Sequence, residues 1–205
     1  MRIISHFPSV GTSNSYVVGP NEGGAAILVD PGKINVNLIV GIEDSQFHIT
    51  TVLITHSHAN HISGLRTLLK IYDAEIVAGS GHVMNFEARA VTEGMTLELS
   101  GMRVDVLEVE GHSADSRVYR IGPYLFTGDT LSAGRVGSAS SSANRKILVQ
   151  SIRQKILRLC EHTLILPGHG PPTTVFAEKT WNTDLAPITQ FNQEDPQATS
   201  CRADP

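Results

Sequence analysis

Residues 51–61 read Thr-Val-Leu-Ile-Thr-His-Ser-His-Ala-Asn-His, and this run constrains the chain more than any other. Thr51 to Thr55 is apolar without alternation, the pattern of a short strand covered on both faces. Such a strand needs a layer of structure on each side, which disfavours a single sheet open to water. His56, His58 and His61 follow it directly. His56 and His58 are two residues apart, so in an extended loop both rings point to one side. Neutral imidazole is the commonest side-chain ligand for zinc and related metals. With nine histidines in 205 residues, three within six positions are hard to attribute to chance.

Three further segments share this context of an apolar strand followed by a glycine-containing loop. They are Val109-Glu110-Gly111-His112-Ser113, Leu125-Phe126-Thr127-Gly128-Asp129-Thr130 and Ile165-Leu166-Pro167-Gly168-His169-Gly170. Each places one candidate ligand after a strand, where glycine lets the backbone bend closely around an ion. Any one of them alone reads as an ordinary turn or cap. Together they give five histidines and one aspartate in matching surroundings. His6, His48, His82 and His162 lack that context and read as surface or structural residues. The two cysteines, Cys160 and Cys201, form no CxxC pair, so neither a disulfide framework nor a thiolate metal site is indicated. Cys160 ends an apolar helical pattern and is expected as a small core residue.

The remaining pattern is strands first, then strands alternating with helices. Strands are expected at 2–7, 15–18, 25–30, 75–78 and 163–166, with hairpins over 96–109 and 117–127. Helices are expected at 36–42, 61–72, 145–160 and 175–181, and a small polar loop at 138–144. The order implies an α/β (α+β) sandwich with helices outside two sheets. Residues 1–183 read as one domain. Residues 184–205 are polar and aperiodic, a C-terminal extension without regular structure. The net charge of −4 gives no basic patch for nucleic acid, and no apolar run approaches the roughly 20 residues of a membrane span. The N-terminus lacks the apolar stretch of a secretory signal, so a cytoplasmic location is the default expectation.

Five ordered motifs resemble the metallo-β-lactamase superfamily, whose first motif is HxHxDH, and within it the small glyoxalase II-like hydrolases. They are VDPG at 29–32, THSHANHISG at 55–64, GHSADS at 111–116, FTGDTL at 126–131 and LPGHGPPTT at 166–174. The resemblance implies a four-layer αββα sandwich with metals at one edge between the sheets. It implies that His56, His58 and His112 bind a first metal and that His61 and His169 bind a second. Asp129 would bridge the two. It also implies a zinc-dependent hydrolase, with iron or manganese as alternative metals, acting on a small-molecule thioester or related activated ester. Hydroxide generated at the metal would attack the carbonyl. Asp129 and His61 would be the catalytic residues, Asp129 as ligand and proton acceptor and His61, like His169, holding a second metal or, without one, orienting water and substrate by hydrogen bonds. Asp30, before Pro31-Gly32, is either a plain turn residue or a support for a ligand ring.

Two departures from the family pattern matter. Asn60 stands where the family has Asp, and a neutral amide is a poorer ligand than a carboxylate and no base. Asn60 is therefore a weak ligand or none, and one tightly bound metal is expected rather than two. After the GDTL motif the chain reads SAGRVGSASSS, with Ser138 where a family Arg would fall and Arg135 nearby. No helical C-terminal domain of the kind that helps bind glutathione is expected from this sequence, so glutathione specificity does not follow. Two other readings stay open: a mononuclear iron persulfide dioxygenase-like enzyme, and a non-catalytic member that has kept the fold. Oligomeric state is not legible.

Overall fold

The computed structural model describes residues 1–8 and 11–185. The first half contains β1 (Arg2–His6), β2 (Ser15–Gly19), β3 (Gly24–Val29), α1 (Val36–Asp44), β4 (Phe47–Leu53), α2 (Ala59–Ile62), α3 (Leu65–Leu68) and β5 (Glu75–Ala78). A small ribbon follows, β6 (His82–Val83) with β7 (Phe86–Glu87), and then β8 (Arg89–Ala90). The second half contains β9 (Thr96–Leu99), β10 (Met102–Glu108), β11 (Arg117–Ile121) and β12 (Tyr124–Gly128). The ribbon β13 (Leu131–Ser132) and β14 (Arg135–Val136) leads to α4 (Ser142–Ser151), β15 (Leu164–Pro167), β16 (Thr173–Thr174) and α5 (Val175–Trp181).

Two six-stranded sheets result, ordered β1-β2-β3-β4-β5-β8 and β16-β15-β12-β11-β10-β9. Within the first, β3, β4, β5 and β8 run parallel. Within the second, β12 and β15 are the parallel pair.

The continuously apolar strands explain the layering. Successive side chains on a strand point to opposite faces. On β3, Leu28 enters the core beneath the helices of the first sheet, whereas Ile27 and Val29 enter the core between the sheets. Val52 and Leu53 divide in the same way. On the second sheet, Tyr119 and Phe126 face the middle core, while Val118 and Leu125 face a third. That third core is closed by Leu148, Ile152, Ile156 and Val175. Helices Leu38, Ile42, Leu65 and Leu68 close the first. The architecture is therefore the αββα sandwich.

Several elements differ from their sequence expectation. The helix expected over 61–72 is split into α2 and α3, two four-residue pieces. Gly64 lies at the break, where its N–H donates to the Pro31 carbonyl at 2.8 Å. A methyl there would lie 2.6 Å from the same oxygen. The apolar spacing of Ile62, Leu65 and Leu68 continues across the break and hides it. Helix α4 starts inside the expected polar loop, because Ser141 accepts the Asn144 N–H as an N-cap. It then widens into a π-helical turn at Ile152–Ile156, closed by Leu157 N–H to the Ile152 carbonyl at 3.0 Å. Cys160 is only half-buried, so the expectation of a small core residue does not hold.

Of the extension expected from 184 onward, Asp184 and Leu185 lie in a 3-10 turn (Thr183–Leu185). Leu185 is buried, and Asp184 pairs with Arg145 at 2.9 Å. The rest of that extension lies outside the described residues. Among the described residues no helix is long and apolar enough to cross a membrane.

Candidate metal centre

Chain direction brings the histidine loops together. The parallel strands β3 and β4 end side by side, at Val29 and Leu53. Their loops carry Asp30 and the segment from Thr55 to His61. On the other sheet, β12 runs into Asp129 and its parallel neighbour β15 into Gly168 and His169. Strand β10 ends at the same level, paired with the start of β11 through Glu108 and Arg117, and leads to His112. Hydrogen bonds tie the two sheets at this edge. Arg117 N–H donates to the Thr55 carbonyl at 2.7 Å, and Asn14 N–H donates to that of Gly168 at 2.7 Å. The Asn14 amide donates further to the carbonyls of Pro167 and Gly170.

His56, His58, His112 and Asp129 each present a ligand atom within 4.8 Å of the others. His56 Nε2 lies 2.9 Å from His58 Nδ1, which lies 3.2 Å from His112 Nε2. Asp129 Oδ2 is 3.9 Å from His56 Nε2. Ligand atoms around one tetrahedral ion with bonds of about 2.0–2.1 Å stand roughly 3.3 Å apart. The observed spacings bracket that figure.

The outer nitrogens of the rings fix which lone pairs face inward. His112 Nδ1 lies 2.8 Å from the Ser138 carbonyl oxygen, which can only accept, so Nδ1 carries the proton and Nε2 is free toward the cluster. His56 Nδ1 lies 3.2 Å from Thr55 Oγ1, which itself donates to Asp30 Oδ2 at 2.6 Å. Thr55 Oγ1 is thereby left to accept from the His56 ring. The residues present thus fit a bound cation in both spacing and protonation.

A second group shares Asp129 and comprises His61, Asp129 and His169. Asp129 Oδ1 is 3.0 Å from His61 Nε2 and 3.6 Å from His169 Nε2. His61 donates from Nδ1 to Asp30 Oδ2 at 2.8 Å. Asp30 is therefore more than a turn residue. Its carboxylate accepts from the Thr55 backbone and hydroxyl and from the His61 ring, supporting both groups. It does so from a left-handed backbone, φ 51°, that aspartate tolerates better than most residues. Asn60 places its amide Nδ2 2.7 Å from His169 Nε2. In either orientation of the amide, the His169 nitrogen facing Asp129 is engaged by a neutral group.

Two glycines allow this crowding. A methyl at Gly168 would meet the His61 ring and lie 2.7 Å from Asp129 Oδ1. Gly128 turns with φ +52°, and a methyl there would press into the Thr55 side chain.

Electrostatics follow from burial and the shared carboxylates. Burial holds His56 down at about 4, helped by the charge of neighbouring His61. Burial also opposes charge on His61, but Asp30 and Asp129 outweigh it and raise the ring to about 9. Burial pushes Asp129 up, and the hydrogen bond from His61 with the surrounding rings brings it down to about 2. His56 and His61 form the buried wall of the site, while His58 is exposed at its mouth.

All six residues singled out from the sequence meet here. His6, His48, His82 and His162 belong to neither group. Thr55, Asn14 and the Ser138 carbonyl support the site without having been singled out. Ser138, read as a missing arginine, contributes through its backbone, which no side-chain motif could signal.

The sequence model of the Metallo-beta-lactamase superfamily matches residues 8–185. A hydroxyacylglutathione hydrolase of Actinobacillus pleuropneumoniae is 31% identical over 163 residues, 79% of this chain and 68% of that protein. The probable metallo-hydrolase YqgX of Bacillus subtilis is 28% identical over 196 residues, 80% of this chain and 93% of the relative. The crystal structure of ETHE1 from Myxococcus xanthus superposes with a TM-score of 0.79 at 27% identity, covering 89% of this chain and 84% of that one. With its layered sheets, its histidine loops gathered at one edge and a family match over nearly the whole described chain, this protein belongs to the metallo-β-lactamase superfamily.

Proposed function

We propose that the protein is a metal-dependent hydrolase of a thioester or related activated ester, working with one tightly held cation among His56, His58, His112 and Asp129. The observation that carries this reading is the convergence of three imidazoles and one carboxylate within 4.8 Å. Zinc suits this donor set, with iron or manganese as alternatives. A bound cation supplies an acidified water and a positive charge opposite a polarised carbonyl oxygen.

The chain's own groups do the rest. Asp129 offers Oδ2 to the first group, while Oδ1 accepts from His61 Nε2 at 3.0 Å. Asp30 stabilises the charge that the His61 ring carries while it bridges the two carboxylates. His169 and Asn60 hydrogen-bond each other beside this pair and can orient a substrate oxygen or water. Asn60 brings no negative charge to the second group and occupies a nitrogen that a second cation would need, which favours a single metal. The exposed mouth suits a small-molecule substrate. The hydroxyacylglutathione hydrolase relative supports ester chemistry, but serine stands at 138 where the family pattern has arginine, which weakens the case for an anionic thiol.

Elemental analysis of dialysed protein, paired with a panel of thioester substrates, tests this reading. The expected result is about one metal per chain and turnover that disappears with a chelator. Close to two tightly held metals would refute the single-cation reading. A correctly folded protein inert toward thioesters, lactones and phosphodiesters would instead be a non-catalytic member. Iron, with oxygen uptake on glutathione persulfide, would turn the assignment to a persulfide dioxygenase.

A further inference from the structure

Asp115 lies outside both ligand groups, yet its carboxylate touches both loops that supply the first. Oδ2 accepts the backbone N–H of Ser57, between His56 and His58, at 2.8 Å. Oδ1 accepts the hydroxyl of Ser113, next to His112, at 2.8 Å. The first loop follows β4 of one sheet and the second follows β10 of the other. Burial disfavours the charged carboxylate, but the donors from Ser57 and Ser113 outweigh it and hold the group below the usual range. Both contacts are therefore charge-assisted at neutral pH. The strut is itself fixed at its base. The Asp115 carbonyl packs against Gly79 so closely that a methyl there would not fit. Ser113 Oγ also lies 2.7 Å from Ser116 Oγ.

We infer that Asp115 is a positioning residue for the first cation site, setting the separation between the His56–His58 loop and His112 and thereby the affinity of that site. The inference rests on the proposal above that a cation is held there. Asp115 belongs to none of the three apolar cores, so its removal should loosen the ligand loops and leave the sandwich intact.

Full-length Asp115→Ala and Asp115→Asn proteins, stripped of metal, would be titrated with Zn2+ against a chromophoric chelator, and their Co2+ absorption spectra recorded. Zinc Kd should rise about 10- to 100-fold in Asp115→Ala, the range for supporting partners of metal ligands. Asp115→Asn, which keeps one accepting oxygen, should rise less. The cobalt spectrum should shift, while the thermal midpoint of the metal-free protein stays near wild type. Ser113→Ala combined with Asp115→Ala should cost less than the two effects multiplied, because both break one contact. Wild-type affinity and an unchanged cobalt spectrum in both Asp115 variants would overturn the inference. So would an affinity loss that only tracks a lower midpoint of the metal-free protein. If wild type holds no cation, the proposed function falls too; if only the Asp115 variants fail to differ, it stands.

Discussion

The two groups that share Asp129 are built from similar loops and finished differently. In the first, His56 and His112 each have an outer nitrogen turned to an oxygen partner, which aims the inner lone pair. In the second, His61 is aimed just as firmly by Asp30, but His169 is met by the Asn60 amide. The first group offers three imidazoles and the second two, with Asp129 common to both. At position 60 a neutral amide rather than a carboxylate faces the second group.

Asp129→Ala should erase the comparison, because each group loses its only ligating carboxylate. Zinc affinity should fall by more than the roughly 100-fold seen when a mere supporting partner is lost, and elemental analysis after dialysis should find little metal. Asn60→Asp should make the two groups alike. Metal content should climb from about one toward two per chain, and an unchanged content of one would show that position 60 is not what limits the second group. Asp30→Asn weakens the support common to both, and zinc affinity should drop about 10- to 100-fold; competition titration reads this, and a drop confined to the second group would deny Asp30 its link through Thr55. The smallest change is expected for Thr55→Val, which breaks that link alone. It should cost a few-fold in first-group affinity, at the low end of supporting-partner effects, and leave binding in the Asn60→Asp second position nearly untouched.

Much of this was legible in the sequence. The unbroken apolar run at 51–55 required structure on both sides, and the sandwich supplies it through alternating side chains. The four histidine and aspartate loops were legible because each follows such a run. The break at Gly64 was not, because it depends on the Pro31 carbonyl, more than 30 residues away in the chain. Asp115 was visible only as a letter in GHSADS; its partner Ser57 becomes a neighbour only when the two sheets close. The π-helical turn after Ser151 was equally hidden, since Leu148, Ile152 and Ile156 keep a spacing that an ordinary helix would also show.

His56, His58 and His61 hang from one sheet, and His112, Asp129 and His169 from the other. The gap between these rings is therefore a gauge of how thick the shared middle layer is. Tyr16 and Tyr119 act as reciprocal spacers in that layer, each reaching a backbone carbonyl of the opposite sheet, Pro167 and Ile54 respectively. Aromatic residues outside both ligand groups thus help calibrate the aperture, and a swap that thickened the filling by a few tenths of an ångström would detune it without replacing a single ligand.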